Sequence, residues 1–417
     1  MRERRRPTAA HAAVYRMLCA LATVPANTIA RTGGFVRTSR LSMSGVSHTI
    51  SRHEKFLFDL NGFLVVKNVF TAEEVAAANA AVDAQAAQMR PRKSDALRNA
   101  KAGTPLAATG PRIDMGGMLW WDDDRADLFR NMLMHPKLVP YYTALVRIAS
   151  SCSALLFRRR SSSTSTLSSP YCSFAHLWSS SPPVALTPLL LAPSHLQCGE
   201  GYRMDHQPLL VAQEANSEGF SLHGGPISGG GEDASDGRFN PELQYRFVNG
   251  EMWTSLLAAS VQLCDHNPGD GGFCVVRGSH KLTLPVPSDF ANGVSADFKE
   301  HVYQPATKAG DVVIWSEATV HGATPWLGER QRRVAIYRFA PANMGYGRGY
   351  LDVPESSLAR LTELQRAVVE PPYAVRLERP LVTPDALAGG VDGRATKRPR
   401  SEAKKEHDRQ TIGTGYF

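Results

Sequence analysis

The chain has 417 residues, 43% of them hydrophobic and 21% charged, a balance that supports a buried core and excludes a fibrous or wholly disordered protein. The formal charge of +8 is concentrated at the ends. Arginines crowd the first fifty residues, where Glu3 is the only acid, and a basic run, "ATKRPRSEAKK", lies near the C-terminus, so nucleic-acid binding is not expected.

Six cysteines (Cys19, Cys152, Cys172, Cys198, Cys264 and Cys274) form no C-x-x-C pair, which points to free thiols in a reducing compartment. No apolar run reaches the roughly 18–20 residues of a membrane span. The reading is of an intracellular monomer acting on a small molecule.

In chain order, residues 1–50 are rich in Arg, Ala, Ser and Thr, the composition of a mitochondrial or plastid transit peptide. A disordered tail, or upstream sequence with Met43 as the true start, is the alternative. The ordered domain is expected over 51–375. "GFLVVKNVF" reads as a strand. Thr71 and Glu74 make a capping box that opens a helix running to about Met89. Residues 128–146 space their apolar side chains like a second amphipathic helix.

Residues 147–197 then lose all periodicity and become Ser/Pro-rich, an improbable loop inside a compact domain. A valine codon begins GT, and Gln197 can be encoded by CAG, the letters that bound an intron. Removing the segment joins "YYTALV" to "CGEGYRMDH". A retained intron is one reading, and a genuine disordered insertion is the other. After residue 199, strand-like runs alternate with turn residues: "YRMDHQPLLVAQE", "GFSLHG", "WTSLLAASVQLCD", "GFCVVRGS", "DVVIWSEATVHG" and "RRVAIYRFAP". The class this predicts is mainly β, a jelly roll or cupin-like sandwich with flanking N-terminal helices. Residues 390–417 read as a disordered basic tail.

Three pieces carry chemistry. His223 ends "GFSLH"; "NPGDGGFCVVRGSHK" covers 267–281; and "AGDVVIWSEATVHGATPWLGERQRRVAIYRF" places His321 at a strand end, with Arg332 opening the next strand. Together with the opening "NGFLVVKNVFTAEEV", these pieces resemble the phytanoyl-CoA dioxygenase family over roughly residues 55–345, the insertion set aside. That family is a branch of the Fe(II)- and 2-oxoglutarate-dependent oxygenases built on a double-stranded β-helix. The resemblance implies Fe(II), 2-oxoglutarate as cosubstrate and O2. It makes His223 and His321 metal ligands and Arg332 the clamp on the far carboxylate of 2-oxoglutarate. A guanidinium fork suits that task, and Arg333 would face the other side of the strand.

Three departures matter. Gly225 stands where the family's H-x-D carboxylate should be, and no histidine in the chain is followed two positions later by Asp or Glu. The usual H-G-S is His321, Gly322, Ala323, with Thr324 adjacent as a further cosubstrate contact. The usual proline before G-S-H is Arg277. Asp265, Asp233 and Asp236 are the candidates for a third ligand.

The expected activity is hydroxylation of an aliphatic C–H in a lipid-like or small-metabolite substrate. A halogenase, with Gly225 making room for a halide, and an inactive β-helix binder are the alternatives. His280 reads as a brace for the "RGSHK" corner and His206 as a structural histidine. "GGPISGGGEDASDG" lacks a P-loop ending and reads as a lid.

Overall fold

A computed structural model describes residues 49–92, 100–146, 201–228, 237–248, 250–346, 354–372 and Gln410, all within one compact unit, Gly45–Phe417. The readings of residues 1–48, of the 147–197 insertion, of Asp233 and Asp236, and of the 390–417 tail (Gln410 apart) lie outside the described residues.

The strands in chain order are β1 (Phe63–Val66), β2 (Arg90–Pro91), β3 (Ile113–Met115), β4 (Tyr202–Gln213), β5 (Phe220–His223), β6 (Ile227–Ser228), β7 (Arg238–Phe239), β8 (Tyr245–Val248) and β9 (Glu251–Thr254). They continue as β10 (Leu257–Gln262), β11 (Gly272–Val276), β12 (Val302–Tyr303), β13 (Val312–Ser316), β14 (His321–Thr324) and β15 (Arg332–Pro341). A seven-stranded sheet runs β1-β13-β10-β15-β4-β3-β2, and a four-stranded sheet runs β12-β11-β14-β5. The named strand pairs are antiparallel. Two facing antiparallel sheets with crossovers between them form the double-stranded β-helix that the sequence predicts.

Side-chain alternation makes the two layers of core. On β13, Val313 and Trp315 point between the sheets, where they join Phe63, Ala258 and Val275. Val312 and Ile314 point the other way, into the larger cluster with Phe58, Ala78, Phe129 and Tyr142 from the helical cover. β15 repeats the pattern, with Ile336 inside and Ala335, Tyr337 and Phe339 against the helices. Each fully buried side chain of this size contributes roughly 1.5–3 kcal/mol.

The capping boxes form as the residue pattern dictates. Thr71 Oγ1 accepts from Glu74 N–H, and the Glu74 carboxylate accepts from Thr71 N–H, opening the helix Ala72–Ala84. Ser51 and Glu54 do the same for Arg52–Asn61.

Two expectations are corrected. The helix expected over 128–146 is two short helices, Asp127–Asn131 and Val139–Leu145, because Pro136 interrupts the run and Pro140 sits in the first turn of the second piece. The run "DVVIWSEATVHG" is two strands, β13 and β14, in different sheets, separated by a turn at residues 317–320. His321 therefore begins a strand.

Candidate metal centre

β5 and β14 pair so that His321 lies opposite His223, and the ring centroids are 4.2 Å apart. Each imidazole is oriented by a main-chain carbonyl two residues earlier. His223 Nδ1 is 3.1 Å from Ser221 O, and His321 Nδ1 is 2.7 Å from Thr319 O. A carbonyl oxygen only accepts, so both rings carry the proton on Nδ1 and the lone pair on Nε2. That tautomer is the one a metal-ligating histidine needs.

The third group is Glu317, four residues before His321 in the turn between β13 and β14. Its Oε2 is 3.7 Å from His321 Nε2, and one ligand atom from each of His223, Glu317 and His321 lies within 4.8 Å of the others. Adjacent positions on an octahedral ion with bonds of about 2.1 Å are about 3 Å apart, so small rotamer shifts would close the set. Glu317 is 6% exposed and His321 4%. Burial pushes the Glu317 carboxyl upward, but the Arg338 guanidinium beside it outweighs burial and holds the group below its ordinary value, hence ionised. Arg338 Nε donates to Glu317 Oε1 at 2.9 Å and so orients the carboxylate.

The turn that presents Glu317 and His321 is braced by the "RGSHK" corner. Ser279 Oγ donates to Val276 O and accepts from Val320 N–H at 2.7 Å. His280 Nε2 contacts Asp59 O at 3.0 Å, and the ring is buried against Tyr245. His280 thus sits in the bracing role read from the sequence.

Gly225, where the acid was expected, has φ +90, and a Cβ built there would meet nothing closer than Val320 Cγ2 at 3.5 Å. There is room for a side chain, but the backbone conformation is one that L residues avoid. The loop is built for glycine, so the missing acid reflects the backbone course as well as a changed side chain.

Asp265 is corrected as a ligand candidate. It is bound to Lys308 Nζ at 2.9 Å and to Ala309 N–H at 2.9 Å, and it does not line the cavity. The signal for Glu317 was an acid inside the apolar run "DVVIWSEATVH", at a spacing ahead of the histidine.

Arg332 lines the same cavity, whose volume is about 560 Å3. It is 4% exposed, donating from Nε to His266 Nε2 at 3.1 Å and from NH1 to Gln213 Oε1 at 2.6 Å. His266 Nδ1 is 2.9 Å from Thr307 Oγ1, and Gln213 Nε2 donates to Glu218 O at 2.7 Å, so both supports are themselves fixed. Desolvation lowers the Arg332 pKa to about 10, and its two hydrogen-bond partners here are neutral. A buried guanidinium has the planar fork of donors that suits a carboxylate.

Gly272 (φ +82) makes room for it: a Cβ there would lie 2.7 Å from Arg332 Nε. Arg333 faces the opposite side, its NH2 donating to Asp83 Oδ1 at 2.6 Å. Gln213 and His266 were not read from the sequence as parts of the site.

Thr324, expected beside the cosubstrate, accepts a hydrogen bond from Gln304 Nε2 and is not among the residues lining the cavity. His206 does line it, with Nδ1 2.8 Å from Asp205 Oδ2.

Two histidines and a carboxylate between the sheets of a double-stranded β-helix, with a buried arginine in the same cavity, have the donor set of a non-haem iron centre with cosubstrate room. The phytanoyl-CoA dioxygenase (PhyH) family model matches residues 241–334, which bears out the resemblance read from the sequence. The matched segment contains Glu317, His321 and Arg332, while His223 lies before it. The likeness to that family is shown over this segment, less than a quarter of the chain.

Among solved structures, HygX from Streptomyces hygroscopicus with nickel and 2-oxoglutarate bound is 17% identical, covering 73% of this chain and 92% of its own, with a TM-score of 0.46. The non-haem α-ketoglutarate-dependent carbocyclase SnoK from nogalamycin biosynthesis is 14% identical, covering 76% and 94%, with a TM-score of 0.40. No curated protein matches the chain. Among the described residues, no helix is long and apolar enough to cross a membrane.

Proposed function

We propose that the chain is an oxygenase whose iron(II) is held by His223, His321 and Glu317 and whose 2-oxoglutarate is anchored through its far carboxylate by Arg332. The observation that carries this reading is the three-residue cluster itself, two imidazoles with their protons already on Nδ1 and an ionised carboxylate within ligand reach. When bound, the iron centre supplies oxidation of an unactivated C–H bond coupled to conversion of 2-oxoglutarate to succinate and carbon dioxide.

The chain's own residues hold and exclude. Ser221 O and Thr319 O fix the ring tautomers. Arg338 holds the carboxylate, and Trp315 and Phe273 wall His321 at centroid distances of 5.4 and 6.2 Å, keeping water out. Glu317 also favours hydroxylation over halogenation, because a carboxylate within reach of the metal fills the position a halide would need. Thr324 enters this reading only as a residue on β14, since its hydroxyl already has Gln304.

Anaerobic addition of Fe(II) and 2-oxoglutarate tests the reading. A weak visible charge-transfer band is expected in the wild type and not in His321→Ala. Absence of the band, with no iron retained, would assign the fold to a binding protein.

A further inference from the structure

Trp315 walls the candidate metal ligands and carries a polar atom that the wall does not need. It lies near the end of β13, two residues before Glu317, so strand alternation turns both side chains into the space between the sheets. The ring lines the cavity, yet the residue is only 1% exposed. Phe273 packs on it at a centroid distance of 4.7 Å and His321 at 5.4 Å. Its other neighbours in the buried cluster are apolar: Phe63, Ala258, Val275 and Val313.

The indole Nε1–H is buried there and has no hydrogen-bond acceptor among the described residues. An indole N–H donates and cannot accept, so only an acceptor atom can satisfy it. Leaving such a donor unpaired away from water is costly, and buried indoles ordinarily find a partner. Trp326 shows the ordinary case, donating from Nε1 to Arg330 O at 2.7 Å. The indole N–H groups of Trp121 and Trp253 also lack an acceptor, but neither ring lines the cavity. Trp315 is therefore the indole whose missing acceptor a ligand of the cavity can supply.

The chemistry beside His321 selects that ligand. A substrate brings a C–H bond to the metal end of the cavity, and a C–H bond accepts nothing. 2-Oxoglutarate, held at its far carboxylate by Arg332, brings the keto and carboxylate oxygens of its 2-oxo acid end.

We propose that Trp315 Nε1–H donates to an oxygen of the 2-oxo acid end of 2-oxoglutarate, making Trp315 a cosubstrate-binding residue at the opposite end from Arg332. This assignment rests on the oxygenase reading above. A hydrogen bond to a charged acceptor is among the stronger kinds, which sets the size of the effect.

The test is calorimetric titration of 2-oxoglutarate into the Mn(II)-loaded protein, wild type and Trp315→Phe, with Mn(II) affinity measured separately. Phenylalanine keeps an aromatic wall and removes the donor. 2-Oxoglutarate affinity should fall about tenfold or more in the variant, while Mn(II) affinity changes less than about twofold. A second measurement does not depend on the variant folding. In the Zn(II)-loaded wild type, the nuclear magnetic resonance signal of the Trp315 indole proton should move downfield when 2-oxoglutarate is added, as a newly hydrogen-bonded N–H does.

Unchanged 2-oxoglutarate affinity in W315F overturns the proposal. So does an indole proton that 2-oxoglutarate leaves in place, even where the variant binds weakly, since the ring is then a packing wall. Parallel loss of Mn(II) and 2-oxoglutarate affinity would assign the ring to holding His321 and also overturn it. Failure of the oxygenase reading shows separately, as a wild type that does not bind 2-oxoglutarate at all; a wild type and variant that bind it equally sink this inference alone.

Discussion

At the scale of single residues, Arg332 and Arg333 show how much one strand position decides. They are neighbours of like chemistry, yet strand alternation sends one into the cavity, where Gln213 and His266 hold it, and the other outward to Asp83. Losing a buried carboxylate receptor costs about 2–5 kcal/mol of binding, so Arg332→Met is expected to weaken 2-oxoglutarate binding by roughly 30-fold or more. Arg333→Met should change it less than about twofold, since surface ion pairs contribute little. Calorimetric titration of both variants checks the contrast; equal effects would remove Arg332 from the cosubstrate site.

At the scale of elements, the turn between β13 and β14 decides the site. It lifts the chain from the large sheet to the small one and presents Glu317 on one side and His321 on the other. Ser279 is its outside brace. Ser279→Ala would leave the buried Val320 N–H without its acceptor, an expected loss of about 1–3 kcal/mol. Urea denaturation of the variant measures it, and a change near zero would show that the corner does not support the turn.

The same turn explains what the sequence kept hidden. His223, His321 and Arg332 were legible because each sits in a strand run of familiar spacing. Glu317 was not, because its approach to His223 depends on pairing between β5 and β14, which no local pattern reports. The broken helix at 127–145 has the opposite cause: its apolar spacing was real, but Pro136 overrode it.

At the scale of the whole molecule, the core carries a built-in acid sensitivity. Burial lowers the pKa of His135 to about 4, of His266 to about 3 and of His280 to about 4, all from an ordinary value near 6.5. Each is neutral in the fold, while the unfolded chain takes up protons as pH falls through 6.5. Their contribution is therefore complete above pH 6.5 and is lost as pH drops toward 4 and then 3. For the buried His266 and His280 the loss should approach about 1.4 kcal/mol per pH unit each. Urea midpoints at pH 7, 6 and 5 should fall steadily, whereas a flat series would contradict the burial of these rings. The two-sheet architecture was legible from the short strands and their turn residues, while the helical cover was legible mainly at its capped ends.

The most direct test of the central claim is a Mn(II) titration, followed by electron paramagnetic resonance, of the wild type and Glu317→Gln. Glutamine can keep the Arg338 hydrogen bond but gives up the anionic oxygen. If Glu317 completes the metal set, Mn(II) affinity should fall by about 100-fold or more, beyond what losing an outer hydrogen bond costs. Unchanged affinity in Glu317→Gln would contradict the account and return Glu317 to the role of a buried partner for Arg338.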